Sequence, residues 1–120
     1  MPQARIFSRP KWNLTDIKLE AGKKYNLQAL GIWVDFFIPC DPDGYPCPSF
    51  LKQKLRYPQA NLFKLLGSID SDENLMFVIG SSLAVLTAPK TGMLTCCAND
   101  LENMYWNNWG SIDLTVSPLE

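Results

Sequence analysis

The feature that most constrains the fold is a regular alternation of apolar and polar residues near the C-terminal end. Ile112, Leu114 and Val116 alternate there with Asp113 and Thr115. Successive side chains of a β-strand point to opposite faces, so this pattern predicts a strand with one face in a core. Further strand-like runs, bounded by glycine, proline, asparagine or aspartate, lie at 12–19, 24–37, 61–66, 75–79, 83–87 and 93–98. About seven or eight short strands predict an all-β chain that forms a single antiparallel sandwich or a jelly roll.

Length and charge limit the domain count and the class of partner. A chain of 120 residues with 47% hydrophobic residues is expected to form one domain, residues 1–120, with a two-layer core. Eleven basic and twelve acidic residues give a net charge of -1, so nucleic acid is not an expected partner. The basic cluster Lys52, Lys54 and Arg56 is interpreted as a solvated loop face. Histidine is absent, which removes the usual general base, and we expect a protein that is not an enzyme.

Targeting signals and cysteines indicate the compartment. The first ten residues lack the apolar stretch of a secretory signal, and no run approaches the length of a membrane span. The expectation is a cytoplasmic protein, with export by a non-classical route left open. Four free thiols are therefore expected, although Cys40 and Cys47 flank a turn-rich segment that could bring their sulfurs together. Cys96 and Cys97 are adjacent in a strand-like run, so their side chains should point to opposite faces.

Two segments stand out as candidate functional loops. Residues 38–58 contain five prolines and one glycine, which predicts a long irregular excursion beside the loop that follows residue 98. That second loop, residues 99–110, is rich in oxygen donors. Asp100, Asn107 and Asn108 could supply three side-chain ligands to calcium, which prefers carboxylate, amide and carbonyl oxygens. The alternative is that these residues only form turns.

The second half of the chain resembles the calcium-dependent galactose-binding lectins of the PA-IL (LecA-like) type. Features that carry the resemblance are the runs 62–67, 77–80, 87–89 and 92–94, the pair at 99–100, the motif at 107–111 and the last strand. Gly22 to Tyr25 and Gly31 to Trp33 match the family's early strands more loosely. The spacing from the Asn99-Asp100 pair to the Asn107-Asn108 pair is the most specific element.

This resemblance implies a jelly-roll β-sandwich in which one calcium ion bridges the protein to vicinal sugar hydroxyls, in a galactose-type geometry. The implied side-chain ligands are Asp100, Asn107 and Asn108. The implied carbonyl ligands are Met104 and either Phe36 or its neighbour Asp35. Residues expected to contact the carbohydrate are Asp100, Leu101, Asn107, Trp109, Gln53 and Asp43.

A rival interpretation is a protein-interaction module, or an effector accessory, that keeps the sandwich and has lost sugar binding. The proline-rich excursion and the loop tryptophans Trp106 and Trp109 would then form an interface, because tryptophan is enriched at binding hot spots. Stacking on a sugar ring is the competing role for one of these two tryptophans. Trp33 is expected in the core. A homo-oligomer stays open.

Overall fold

The computed structural model describes residues 2–119, and nearly all of its regular structure is β-strand. The strands are β1 (Gln3–Phe7), β2 (Asn13–Leu19), β3 (Lys24–Asp35), β4 (Ile38–Cys40), β5 (Leu65–Ile69), β6 (Phe77–Val78), β7 (Ser82–Thr87), β8 (Gly92–Ala98) and β9 (Asn108–Pro118). One short α-helix, α1 (Ser49–Lys52), and two 3-10 turns, Glu73–Leu75 and Tyr105–Asn107, complete the elements.

The strands form two antiparallel sheets that pack face to face. One sheet has the order β1-β9-β3-β4, with β7 also paired to β3, and the other has the order β2-β8-β5-β6. Long β9 pairs with β3 along eleven residue pairs, from Tyr25 opposite Pro118 to Asp35 opposite Asn108. The predicted antiparallel β-sandwich is therefore confirmed.

The core lies between the two sheets and contains the side chains that the sequence pattern assigned to it. Ile112, Leu114 and Val116 of β9 are buried, as their alternation predicted. Trp33 is fully buried, and its ring meets Phe63 edge to face at 5.5 Å between centroids. Such aromatic pairs add about 0.5–1.5 kcal/mol to the free energy gained from burial alone.

Three details of the predicted strands differ in the structure. The run at 61–66 becomes a strand only from Leu65, and that strand continues through Gly67 to Ile69. Leu14 lies in the predicted run at 12–19 but has the opposite parity to the buried Ile17 and Leu19. Alternation therefore places it on the outer face of its sheet, where it is 81% exposed. Residues 75–79 contain a strand only at Phe77–Val78, because a 3-10 turn precedes it, with the Asp72 side chain accepting a hydrogen bond from the Asn74 N–H.

The excursion after β4 is irregular apart from α1, and backbone contacts hold it against the loop that joins β8 to β9. Leu55 forms an isolated β-bridge with Leu101, and the Arg56 N–H donates to the Asp100 carbonyl at 3.1 Å. The two segments that the sequence singled out therefore lie side by side.

All four cysteines are free thiols in the structure. Cys96 belongs to the inter-sheet core, whereas the buried Cys97 thiol lies near Arg56 and Tyr105 on the other side of β8. The predicted opposite orientation of these neighbours is confirmed. Within residues 2–119 no helix is long and apolar enough to cross a membrane.

Candidate functional site

The candidate site lies where β3, β8 and β9 reach the same end of the sandwich. Asp35 ends β3 and pairs in register with Asn108, the first residue of β9. Asp100 follows two residues after the end of β8. Asp35 lies 65 positions from Asp100 and 73 positions from Asn108 along the chain. Strand pairing brings these three oxygen-bearing side chains together at one end of the core.

Asp100 and Asn108 form a buried hydrogen-bonded pair. The Asp100 side chain accepts a bond at Oδ2 from Nδ2 of Asn108 at 2.9 Å, and at Oδ1 from the Leu101 N–H at 2.7 Å. Nδ2 of Asn108 also donates to the Ser8 carbonyl at 3.0 Å. Both neighbours of this nitrogen are acceptors, so the orientation of the amide is fixed and its oxygen points away from them.

Two amide oxygens at this site have no hydrogen-bond partner. Oδ1 of Asn107 and Oδ1 of Asn108 are both buried and unpaired within the described part of the chain. An unsatisfied buried acceptor costs about 1–3 kcal/mol, so such groups in a native structure call for a ligand, an ion or water. Together with the Asp100 carboxylate they form a set of hard oxygen donors, which fits a calcium ion better than a soft metal.

Burial perturbs the carboxyl group of Asp100. Desolvation by burial raises the pKa of Asp100 to about 6. The hydrogen bonds from Asn108 and Leu101 act in the opposite direction, and the nearby negative charge of Asp35 raises the pKa further. A carboxylate whose charge is this poorly compensated is stabilised by a cation. Asp35 itself accepts a short hydrogen bond from the Tyr45 hydroxyl.

The main-chain positions implied by the resemblance also lie at this end. Asp35 pairs with Ile38, so Phe36 and Phe37 form a two-residue hairpin turn, and Phe36 has a φ of +58°. Glycine normally occupies such a position, because a side chain is strained there. The Phe36 N–H donates to the Asn107 carbonyl at 3.2 Å, and the Phe36 carbonyl accepts from Nε1 of Trp109 at 3.2 Å. Met104 immediately precedes the 3-10 turn that carries Asn107.

The other residues expected to contact the sugar lie in different surroundings. Leu101 adjoins Asp100, and the exposed Trp109 follows Asn108. Gln53 is exposed at the C-terminal end of α1. Both carboxylate oxygens of Asp43 bind Ser81, one through its N–H and the other through its hydroxyl, and these bonds lower the Asp43 pKa. Asp43 is therefore occupied in anchoring the excursion to the segment before β7.

Sequence reasoning missed the residues that hold the loop. The side chain of Arg56 is only 1% exposed, which corrects its interpretation as part of a solvated face. Its guanidinium donates to the Tyr105 hydroxyl, the Lys11 carbonyl and Glu73, and lies 4.6 Å from the Trp12 ring centroid. These partners come from distant segments, so no local sequence pattern predicts that the Arg56 side chain is buried.

Asn99 is the second residue of this kind. Its buried side chain donates to the carbonyls of Tyr57, Ala60 and Asn61 and accepts from the Tyr57 N–H. The only sequence signal was its place beside Asp100. No group of three or more His, Cys, Asp or Glu residues suited to a metal occurs within residues 2–119, so a cation here would need amide and carbonyl oxygens besides the Asp100 carboxylate.

Comparisons with known proteins support the fold. No protein-family model matches the sequence, and no curated protein matches it. Among solved structures, the chain is similar to the N-terminal domain of EclA, a PllA-like lectin, with a TM-score of 0.73 over 98% of this chain and 95% of that chain. The two sequences are 16% identical. The likeness therefore shows that this chain shares the fold of that domain, in agreement with the resemblance found in the sequence.

Proposed function

We propose that this protein is a carbohydrate-binding lectin, without enzymatic activity, whose ligand site is the loop that carries Asp100, Asn107 and Asn108. The observation that supports this most directly is the pair of buried, unpaired amide oxygens beside a buried carboxylate. The shared fold with a PllA-like lectin domain supports the same reading.

We further propose calcium as the cofactor, held by those three side chains and by the carbonyls of Met104 and Phe36 or Asp35. The ion would supply open coordination positions for two vicinal hydroxyls of a sugar. The protein's own groups would set the selectivity. Asp100 and Asn107 would accept hydrogen bonds from the same hydroxyls, and Leu101 and Trp109 would border the ring. A hydroxyl of the wrong geometry would leave these groups unpaired, which is costly.

A galactose-type preference is part of the proposal and rests on the resemblance alone. Gln53 is placed on the excursion that would approach the sugar, whereas Asp43 would need to release Ser81 to take part. The oxygen-rich loop by itself argues only for a vicinal diol.

Calorimetry tests the proposal in two stages. Calcium is titrated first into chelator-treated protein, and galactose, mannose and fucose are then titrated with and without calcium. We expect calcium to bind, galactose to bind only in its presence, and Asn103→Ala to behave like the wild type. Sugar binding that survives chelator would refute the bridging role, and calcium binding without any sugar binding would favour the interaction module.

A further inference from the structure

Exposed aromatic side chains are concentrated at the end of the sandwich that carries the candidate site. Within residues 2–119, six phenylalanine and tryptophan side chains are exposed, and one of these, Phe7, lies on β1. The other five come from three segments that meet at this end, namely the hairpin after β3, the excursion, and the turn that leads into β9. We call these five side chains the aromatic rim: Phe36, Phe37, Phe50, Trp106 and Trp109.

The hairpin part of the aromatic rim is fixed beside the site loop. The main chain of Phe36 donates to the Asn107 carbonyl and accepts from Nε1 of Trp109, each at 3.2 Å. Phe37 is 79% exposed, and its ring packs on that of Phe36 with 3.9 Å between centroids. Phe36 keeps a φ of +58°, although glycine would adopt this conformation without strain. A strained turn that exposes two aromatic rings does not serve folding, so it indicates a binding role for the rings.

Phe50 reaches the same end of the sandwich on α1. It is 77% exposed, and α1 ends three residues before Leu55, which forms the isolated β-bridge with Leu101 of the site loop. The Cys47 thiol, just before α1, is a second marker of position. Burial raises the pKa of this thiol, and the negative charge of Asp100 raises the pKa further. The segment that carries Phe50 therefore lies close to the Asp100 carboxylate.

Basic side chains lie beside the aromatic rim. Lys52 and Lys54 are exposed, and neither forms an ion pair within residues 2–119. The exposed Arg9 guanidinium donates to the Trp106 carbonyl at 2.8 Å. Carboxylates of the same segments are engaged within the chain: Asp35 by Tyr45, Asp41 by the Asp43 N–H, Asp43 by Ser81 and Glu102 by Lys11. Cationic groups without a carboxylate partner, set beside exposed rings, are the pattern of a surface that binds anionic lipid.

We propose that the aromatic rim docks this protein on the surface of an anionic lipid bilayer. Phe37, Phe50 and Trp106 enter the boundary between headgroups and acyl chains, where aromatic rings are favoured. Lys52 and Lys54 keep their charged ends among the lipid phosphates. The rings project from three separate segments, and a fluid lipid layer accommodates such projections without the complementary pockets that a protein partner would have to supply. Neither calcium nor sugar takes part, so the inference goes beyond the proposed lectin function and does not rest on it.

Vesicle flotation in chelator, with no glycolipid present, tests this inference separately from the lectin function. One set of vesicles is pure phosphatidylcholine, and the other contains about 30% phosphatidylserine, which supplies the anionic surface. We expect the wild type to float with the mixed vesicles and to bind pure phosphatidylcholine at least about ten-fold more weakly, since each lysine near an anionic surface strengthens binding about five-fold. Lys52→Glu should weaken binding to the mixed vesicles and leave binding to phosphatidylcholine unchanged.

Apolar variants provide the matched comparison. Phe37→Ser and Phe50→Ser should each weaken binding to the mixed vesicles about ten-fold, because a ring is no longer removed from water on docking. Leu14→Ser should have no effect, since Leu14 is 81% exposed but lies on the outer face of the sheet that contains β2. Circular dichroism and melting check that each variant is folded.

Lipid with brominated acyl chains reports the depth of docking. It should quench the fluorescence of the exposed Trp106 and Trp109, whereas Trp33 is buried in the core and shielded. A wild type that floats with neither set of vesicles, an absence of quenching, or equal losses in Phe37→Ser and Leu14→Ser would overturn the proposal. Tighter binding of phenyl galactoside than of methyl galactoside without any flotation would also overturn it, and would assign the aromatic rim to the apolar part of a small ligand.

Discussion

Nδ2 of Asn108 donates a hydrogen bond to Oδ2 of Asp100 at 2.9 Å, and both side chains are almost completely buried. The same nitrogen is held by the Ser8 carbonyl, so neither side chain can turn without breaking a buried bond. The geometry of the oxygen donors is therefore set by the fold before any ligand arrives. Preorganisation of this kind lowers the entropic cost of binding.

Replacing Asp100 by asparagine should abolish calcium binding. The substitution removes the carboxylate charge and keeps the volume of the side chain. In the wild type, calcium at about 100 times its dissociation constant should add about 2.7 kcal/mol to the free energy of unfolding. Each kcal/mol should raise the melting temperature by roughly 3–6 °C. Differential scanning fluorimetry with and without calcium measures this shift. If the Asp100→Asn variant still showed the shift in melting temperature, Asp100 would not be a calcium ligand. Asn103→Ala serves as the control variant in the same loop.

The contribution of Asp100 to the stability of the ion-free protein should fall as pH rises towards neutrality. Burial raises the pKa of Asp100 in the folded state to about 6 from its ordinary value of 3.8, so the folded state binds the proton more tightly than the unfolded state. The corresponding stability is complete below pH 3.8 and is lost as pH rises through 6, by roughly 2–3 kcal/mol.

Urea denaturation between pH 4 and 7, in the presence of chelator, measures this loss of stability in the wild type. The Asp100→Asn variant should lack the pH-dependent contribution of Asp100. Calcium affinity should change in the opposite sense, weakening below pH 6, because the ion competes with the proton. If the wild type and Asp100→Asn had parallel pH profiles, the carboxyl would not be the titrating group.

Truncating Arg56 should destabilise the protein and the site loop together. Arg56→Met keeps much of the packing but loses the bonds to the Tyr105 hydroxyl and the Lys11 carbonyl, at a cost of about 2–3 kcal/mol in the free energy of unfolding. Glu73→Gln removes only a half-exposed partner, so it should cost less than about 1 kcal/mol. Equilibrium denaturation compares the two. Equal effects would show that the guanidinium acts mainly through its ion pair with Glu73.

Two glycines with similar backbone angles should respond very differently to alanine. Gly44 has a φ of +68°, and a Cβ there would lie 2.1 Å from the Leu62 carbonyl oxygen. Gly22 has a φ of +81°, with nothing within 4 Å of the added atom. Gly22→Ala should cost about 1 kcal/mol from backbone strain alone. Gly44→Ala should cost about 3 kcal/mol or more, because the excursion must move. Similar melting temperatures for the two variants would contradict this account.

The fold could be predicted from the sequence because its signals are local. The alternation at Ile112, Leu114 and Val116, and the turn residues between runs, fix strand identity and facing without knowledge of distant contacts. The exposure of Leu14 follows from the same rule, because its parity is opposite to that of the buried Ile17 and Leu19. Residues 75–79 failed as a strand because the Asp72 cap favours a 3-10 turn over an extended backbone.

The candidate site could be predicted only in part. Asp100, Asn107 and Asn108 are close in sequence, so their convergence needs one loop. Asp35 joins them through the register of β3 with β9, and Arg56 through contacts with three segments. Neither of these long-range contacts can be predicted from the local sequence. The ligand roles of the site residues, and calcium itself, stay predictions.

The four hydrogen bonds of the Asn99 side chain have a kinetic consequence. They join the base of the site loop to the excursion at Tyr57, Ala60 and Asn61. Two segments that look like mobile loops by composition should therefore open as a single cooperative unit, and only rarely. Backbone amides at Tyr57 and Asn99 should exchange with solvent on the timescale of the β-strands, and a protease should find residues 54–64 resistant to cleavage until the sandwich itself unfolds.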